Sequence, residues 1–196
     1  MFAKDTKIKF TFFVNYFLVN GKEPAWMEEA IECLQQALTQ SNRQGITTNI
    51  YAKISLKDLT YFTNKFKHNI HIHSKCLPER SSSRRFPYLT DILTGNNESS
   101  IINTSEGSMD YIIYANADIC IPRYFFEFAL QQIELHRSLE KGITSFMINR
   151  KDIVSEKETG PESQKILMHP GYDLFVFHAS ILTKLSLGKV AIGTPP

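Results

Sequence analysis

The sequence predicts an α/β domain, a three-layer α/β/α sandwich built around a mainly parallel sheet. Short runs of aromatic and β-branched residues alternate along the chain with longer segments whose apolar residues recur every three or four positions. The chain has 196 residues, of which 42% are hydrophobic, and this is enough for one packed core. The alternation favours parallel strands because each helix carries the chain back across the sheet.

The N-terminal half supplies the first strand–helix units. Residues 7–17 are rich in aromatic and β-branched side chains, which is typical of a buried strand. Pro24 suits a first helical turn, and apolar residues then recur at spacings of four, three and four, which predicts a helix that ends before Gly45. A second strand, a second helix and a short third strand are predicted at 46–54, 56–66 and 70–73.

The C-terminal half alternates in the same way after a polar stretch. Residues 80–85 are basic and rich in Ser, and 95–108 are rich in Asn, Ser and Gly, so both are predicted to be loops. The most regular segments are a strand at 109–115 and a helix that begins at Pro122 and ends before Gly142. The remaining elements are predicted to be helices at 87–93 and 179–185, strands at 143–149 and 173–177, and a loop at 151–165.

Composition and charge exclude several classes of function. With 22 Lys and Arg against 20 Asp and Glu, the net charge of +2 lacks the basic excess of a protein that grips nucleic acid by its phosphates. No apolar run reaches the roughly 18 residues of a transmembrane segment, and residues 1–5 do not resemble a signal peptide. Cys33, Cys76 and Cys120 have no CxxC spacing, so we expect reduced thiols in a cytoplasmic protein.

The strand at 109–115 runs directly into two polar residues, Asn116 and Asp118. Ligands of open α/β sheets bind beyond the carboxyl ends of the strands, so these residues are candidates for a binding site. A carboxylate in this position suits a hard divalent cation, which would neutralise charge on a diphosphate. On the residues alone, we prefer the simpler interpretation, a turn whose polar side chains cap the helix at Pro122.

This strand end resembles the DxD region of glycosyltransferases with the GT-A fold. Asn116, Ala117 and Asp118 occupy the place of the motif that contacts the ribose and the metal of a nucleotide-sugar diphosphate in those enzymes. The resemblance covers most of the chain as a topology with short motifs. It implies a GT-A-like or Rossmann-like sheet, a nucleoside-diphosphate sugar as donor, and Mg²⁺ or Mn²⁺ bound by Asp118.

The same resemblance implies roles for residues on the donor side. The first strand ends in Asn15 and Tyr16, where such enzymes begin their nucleoside pocket. The basic segment with Arg84 and Arg85, together with the following Asp91, corresponds to the stretch that approaches the sugar phosphate. From the residues alone, solvated surface charge is the preferred explanation of the two arginines, and only their position in the resemblance makes a phosphate contact comparable.

The segment from His169 to Asp173 is similar to the acceptor-side acidic motif of the same superfamily. The resemblance implies that Asp173 is the base that takes the proton of the acceptor hydroxyl, and that His169 is a ligand to the donor phosphates. On the residues alone, we prefer a loop position for His169, beside Pro170 and Gly171. Asp173 is equally explained as a carboxylate at a strand start that pairs with Arg or a backbone amide.

These features predict one domain, residues 1–196, that acts as a hexosyltransferase-type glycosyltransferase on a hydroxyl of a glycan, lipid or protein. Two departures from the family pattern keep alternatives open. Asn116 replaces the first DxD aspartate, which weakens metal binding, and the chain ends early for this fold, so it is either minimal or truncated. The alternatives are a sugar nucleotidyltransferase, whose Gly-rich basic N-terminal loop is missing, and a domain that binds a sugar nucleotide or a partner without turnover.

Overall fold

The computed structural model describes residues 8–54, 56–66, 71–72, 93, 102, 104–105, 107–138, 145–152 and 167–184. Its strands are β1 (Lys9–Tyr16), β2 (Thr47–Ile54), β3 (His71–Ile72), β4 (Asp110–Ala115), β5 (Ser145–Asp152) and β6 (Leu167–His178). Its α-helices are α1 (Ala25–Arg43), α2 (Leu59–Lys65) and α3 (Phe125–Ser138). Two short 3₁₀ helices span Leu56–Asp58 and Ala179–Thr183.

Within these ranges the strands form one six-stranded sheet in the order β3-β2-β1-β4-β6-β5. The four strands from β3 to β4 run parallel, whereas β6 is antiparallel to both β4 and β5. The chain moves outward from β1 to β3 and then crosses to β4 on the other side of β1, so the strand order reverses between β1 and β4. This confirms the predicted α/β fold with a mostly parallel, Rossmann-like or GT-A-like sheet.

The core lies on both faces of this sheet. On one face, α1 packs through the predicted stripe of Met27, Ile31, Leu34 and Leu38, beside buried residues of α2 and α3. On the other face, a smaller cluster joins side chains of β1, β2 and β4 to the second 3₁₀ helix. Its buried members are Phe13, Tyr51, Leu93, Ile102, Ile112, Tyr114 and Ala179.

The last strand is longer than the sequence predicts. The strand predicted at 173–177 begins at Leu167, so His169 lies in β6 and the loop position preferred for it is wrong. The reason is pairing at long range: Asp152 of β5 lies opposite Leu167 and stabilises an extended segment that its own residues do not favour. The ladder is irregular between Ile148 and Lys151, and such irregularities are where a strand tolerates a residue like Pro170.

Helix boundaries also differ from the predictions. The helix predicted from Pro122 begins at Phe125, and the one predicted at 56–66 begins with a 3₁₀ turn. The helix predicted at 179–185 is a 3₁₀ helix that ends at Thr183. Of the elements predicted between 80 and 108, most residues lie outside the described ranges, and Leu93 is helical and buried. Among the described residues, no helix has the length and apolar character needed to cross a membrane.

Candidate functional site

The polar residues at the carboxyl ends of β1 and β4 meet at the point where the strand order reverses. Asn116 and Asp118 follow β4 directly, and Asn15 lies near the end of β1. In open α/β sheets, a crevice forms where the strand order reverses because no helix crosses it, and ligands usually bind there. The sheet therefore places three of the predicted site residues where a ligand would be expected.

Asn116 holds Asp173 in a defined position. The Nδ2 of Asn116 donates a hydrogen bond to Oδ1 of Asp173 at 2.8 Å, and its backbone N–H donates to the Asp173 carbonyl at 3.2 Å. The hydroxyl of Tyr114 donates to Oδ1 of Asn116 at 3.1 Å, which orients the amide so that its N–H groups face Asp173. Asn116 and Asp173 are 57 residues apart in sequence, so only the folded chain creates this pair.

The direction of β6 is what brings Asp173 to this edge. In the β4–β6 ladder Ala115 lies opposite Leu174, so the next residue along β4, Asn116, reaches the preceding residue of β6. A parallel β6 would place the beginning of the strand at the opposite edge of the sheet. The segment after Phe177 therefore lies away from the site, because the carboxyl end of β6 is at that opposite edge.

Two carboxylates act on the Tyr114 hydroxyl at this edge. Burial, followed by the nearby carboxylates of Asp118 and Asp173, raises the pKa of Tyr114 above its ordinary value. The hydroxyl therefore keeps its proton at neutral pH and acts as a donor to Asn116. Because Tyr114 senses both carboxylates, Asp118 and Asp173 belong to one electrostatic neighbourhood.

Asp118 is exposed in a turn that follows β4. The backbone N–H of Ile119 donates to the Asn116 carbonyl at 3.3 Å, which closes the turn, and the buried Ala117 and Ile121 anchor it to the core. Helix α3 begins only at Phe125, whose N–H bonds to the Pro122 carbonyl, so Asp118 does not cap it. The turn interpretation is thus confirmed, the capping interpretation is not, and the carboxylate is open to solvent.

The end of β1 differs from the prediction for Tyr16. This side chain is 1% exposed and packs against Phe62 and Phe66, at ring-centroid distances of 5.8 and 5.4 Å. It belongs to the core on the side of α1 and α2. Asn15, the residue before it, is half-buried on the other face, the face that also carries Phe13.

Two buried charged residues near this edge were missed by the sequence analysis. Lys53 lies opposite Asn15 in the β1–β2 ladder, is 2% exposed, and places its Nζ 5.7 Å from the centroid of the Phe13 ring. Asp58 is 4% exposed, and its Oδ2 accepts a hydrogen bond from the backbone N–H of Leu18 at 3.1 Å. A charged residue inside the apolar strand β2 was the available signal for Lys53.

Lys53, Asn15, Asn116 and Asp173 form a line across the sheet, here called the polar row. The ladders place Lys53 beside Asn15, the end of β1 beside that of β4, and Asn116 beside Asp173. Each of four adjacent strands contributes one polar residue at the same edge. The row therefore contains one lysine, two asparagines and one aspartate, of which Lys53 is 2% exposed and Asp173 9%.

A second cluster of polar side chains lies between the start of α1 and α2. The carboxylate of Glu23 accepts hydrogen bonds from the Tyr61 hydroxyl at 2.7 Å and from Nζ of Lys65, whose ammonium also lies 3.6 Å from Glu28. The hydrogen bond to Glu23 and its charge raise the pKa of Tyr61 to about 12. This group ties the start of α1 to the end of α2, and it was not predicted.

Several predicted residues are not tested by these contacts. Arg84, Arg85 and Asp91 lie outside the described residues, and only the backbone of His169 is described. In the part of the chain that the structure describes, no three His, Cys, Asp or Glu side chains are grouped so as to hold a metal ion. One exposed carboxylate, Asp118, fits a cation whose other ligands are phosphate oxygens and water, and does not fit a metal held by protein alone.

Comparison with known proteins gives no family for this chain. No protein family and no curated protein matches it. Among solved structures it is similar to a 4-diphosphocytidyl-2C-methyl-D-erythritol synthase from Anaerococcus prevotii DSM 20548, with 9% sequence identity and a TM-score of 0.45. The similarity covers 95% of this chain and 80% of that one.

Proposed function

We propose that this chain is a glycosyltransferase that moves a sugar from a nucleoside diphosphate to an acceptor hydroxyl. The observation that carries the proposal is that two carboxylates with different exposure to solvent lie where the strand order reverses. Asp118 is exposed after β4, while Asp173 is 9% exposed and held by Asn116. Such a difference in environment suits two different tasks, one toward the leaving group and one toward the nucleophile.

Asp118 would serve the leaving diphosphate. Its exposed carboxylate would hold Mg²⁺ or Mn²⁺, and the bound cation would supply charge neutralisation to the departing phosphate oxygens. Lys53 of the polar row would add positive charge toward the diphosphate, and so would Arg84 and Arg85, in the role that the resemblance implies. Asn15, at the end of β1, would contact the nucleoside.

Asp173 would serve the acceptor. A general base must come within hydrogen-bond reach of the hydroxyl whose proton it removes. The amide of Asn116 occupies Oδ1 of Asp173 and restrains its rotation, so Asn116 is a positioning residue in this proposal. Because Tyr114 in turn orients Asn116, the base is supported by two successive hydrogen bonds, and this support keeps it aligned before the acceptor arrives.

The test of this proposal is a ligand panel read by thermal unfolding. UDP, GDP, CDP and dTDP, with matching sugar nucleotides, are added with and without Mn²⁺. A ligand at 100 times its Kd adds about 2.7 kcal/mol, which raises the Tm of a domain this size by about 5 to 11 °C. We expect a Mn²⁺-dependent shift with one base, lost in Asp118→Ala and retained in Glu134→Ala, an exposed carboxylate along α3.

Turnover then separates the candidate chemistries. Release of nucleoside diphosphate from the sugar nucleotide that binds supports glycosyl transfer. Release of pyrophosphate from a nucleoside triphosphate and a sugar phosphate instead identifies a sugar nucleotidyltransferase. Binding without either release identifies a domain that binds without turnover, and absence of any nucleotide-dependent shift contradicts the proposal.

A further inference from the structure

Three exposed aromatic side chains lie at the carboxyl edge of the sheet, around the start of α1. Phe17 follows β1 directly, Trp26 is in the first turn of α1, and Tyr61 is in α2. The rings of Phe17 and Trp26 have centroids 6.0 Å apart and are tilted by 59°, and Tyr61 is joined to the residues before α1 through its hydrogen bond to Glu23. Each of the three is about four-tenths exposed. We call these three residues the aromatic platform.

The loop between β1 and α1 is fixed at both ends to the segment after β2. Near its start, the backbone N–H of Leu18 donates to Oδ2 of the buried Asp58 at 3.1 Å. Near its end, the carboxylate of Glu23 accepts hydrogen bonds from the Tyr61 hydroxyl at 2.7 Å and from Nζ of Lys65. The side chain of Glu23 is only 5% exposed, so this anchor is shielded from water. Two carboxylates therefore hold the loop that presents the platform.

The middle of the same loop is a tight turn. Val19 and Lys22 exchange two backbone hydrogen bonds, at 2.9 and 3.0 Å. Asn20 and Gly21 between them both have positive φ, of 51° and 73°, as a two-residue hairpin turn requires. The backbone around the platform is therefore defined before any ligand arrives, and a preorganised surface loses little conformational freedom on binding.

The charge and size of this surface restrict what it can bind. The charged residues of the loop and of the Glu23 cluster are two lysines and two glutamates, so their charges cancel: Lys22, Lys65, Glu23 and Glu28. An uncharged ligand fits this balance better than an anionic membrane or a strongly charged partner. Three partly exposed rings also present much less than the roughly 800 Å² that each partner buries in a stable protein–protein interface.

We propose that the aromatic platform binds a sugar ring of an oligosaccharide acceptor. The inference rests on the proposed function and names its acceptor as a glycan. The C–H bonds on one face of a pyranose ring are apolar and fit the negatively polarised face of an aromatic ring. The hydroxyl groups at the rim of the sugar then meet polar neighbours such as Glu28, whose side chain is 61% exposed, as in sites that combine aromatic walls with a few polar groups.

The position of the platform explains why the acceptor is longer than one sugar. Because β6 is antiparallel to β4, Asp173 lies at the same edge of the sheet as Phe17. β4 separates β1 from β6, so these strands are two spacings, or about 10 Å, apart. A glycan of several sugars spans this distance, with one ring on the platform and its reacting hydroxyl at Asp173. The platform therefore contributes binding remote from the reacting atoms.

Trp26 is the only tryptophan of the chain, so its fluorescence reports directly on the platform. The experiment titrates the full chain, without nucleotide, with neutral hexasaccharides of glucose, xylose, mannose, galactose and N-acetylglucosamine. We expect at least one of them to shift the Trp26 emission to shorter wavelength in a saturable way, because a stacked sugar excludes water from the indole. Phosphatidylcholine and phosphatidylglycerol vesicles, and nucleoside diphosphates alone, should leave the emission unchanged.

Variants then locate the binding. Phe17→Ala keeps the fluorescent residue and should weaken binding of the hexasaccharide about tenfold. Trp26→Ala, measured by calorimetry, should weaken it at least as much. Phe128→Ala is the matched control, since it removes a 47% exposed aromatic ring of α3, away from the platform, and should retain full affinity. The titration of the wild-type chain decides the result even where a variant fails to fold.

Three outcomes would overturn the proposal. Unchanged emission with every hexasaccharide would mean that the platform does not bind glycans. A response to vesicles alone would assign it to a lipid surface, and a response to nucleoside diphosphates alone would assign it to the donor. Failure of the proposed function is distinguishable: a hexasaccharide response without any nucleotide-dependent rise in Tm refutes glycosyl transfer alone, and such a rise with unchanged Trp26 emission refutes this inference alone.

Discussion

The two ends of the β4–β6 pair use polar residues in opposite ways. At the end beside Ala115, Asn116 and Asp173 are joined, but Asp118 is open to solvent. At the other end, next to Tyr111, His178 is 4% exposed and enclosed by protein. We call these the open end and the closed end.

The closed end satisfies every nitrogen of its histidine. The backbone N–H of Ser180 donates to Nδ1 of His178 at 3.2 Å, so the proton of the neutral ring is on Nε2, which donates to the Ser108 carbonyl at 2.8 Å. The Tyr111 ring packs edge-on against the imidazole at 5.1 Å. Because its hydrogen-bonding capacity is used within the chain, this end stabilises the fold, whereas the proposed ligand site lies at the open end.

The largest expected effect is a loss of activity at the open end, in a variant of Asp173. If it is the base, Asp173→Asn lowers the rate of sugar transfer by about 10²- to 10⁴-fold. Stability should change by less than about 1 kcal/mol, because the new amide oxygen still accepts the hydrogen bond from Asn116. The measurement is turnover of the sugar nucleotide that binds, with urea unfolding in parallel. Asp110→Asn, at the other end of β4, is the matched control and should retain the rate.

The next effect is on stability, at the closed end. His178→Ala removes hydrogen bonds on both buried ring nitrogens, among them the one to the Ser108 carbonyl, so we expect a loss of about 2 to 4 kcal/mol in the free energy of unfolding. His136→Ala, a partly exposed histidine of α3, should cost less than about 1 kcal/mol. Urea denaturation measures both. Equal losses in the two variants would show that the buried histidine of the closed end contributes no more to stability than a partly exposed one.

A smaller effect is expected from the coupling between Asn116 and Asp173. A hydrogen bond to a carboxylate contributes about 1.5 to 3 kcal/mol when well formed, and partial exposure of Asn116 reduces this, so we expect a coupling energy of about 1 to 2 kcal/mol. The double-mutant cycle uses Asn116→Ala, Asp173→Ala and the combined variant in urea unfolding. Strictly additive losses in the free energy of unfolding would mean that the interaction between the two side chains does not stabilise the fold.

The smallest effect on stability is expected at Asp118. Because its carboxylate is exposed, Asp118→Ala should change the free energy of unfolding by no more than about 0.5 kcal/mol. The same variant should lose the nucleotide-dependent rise in Tm. A large loss of stability with unchanged nucleotide binding would show that Asp118 stabilises the fold and does not bind the ligand, which contradicts the distinction between the two ends.

Much of the fold could be predicted because the signals are local. The apolar stripe of α1 and the aromatic strand β1 have the periods of the structures they form, and both are confirmed within a few residues. Asn116 and Asp118 could be found in the same way, since they follow the most regular strand. The extra length of β6 could not be predicted, because its first residues are extended only through pairing with β5.

The sequence by itself determined the alternation of strands and helices, the apolar face of α1 and the polar end of β4, because each depends on neighbouring residues. The tertiary structure alone decided that β6 runs antiparallel, that Asp173 meets Asn116, and that Tyr16 joins the core. These outcomes depend on strand direction and helix packing between residues that are 46 or more positions apart, which no local pattern encodes. The candidate site is therefore a product of topology acting on residues whose types were already visible.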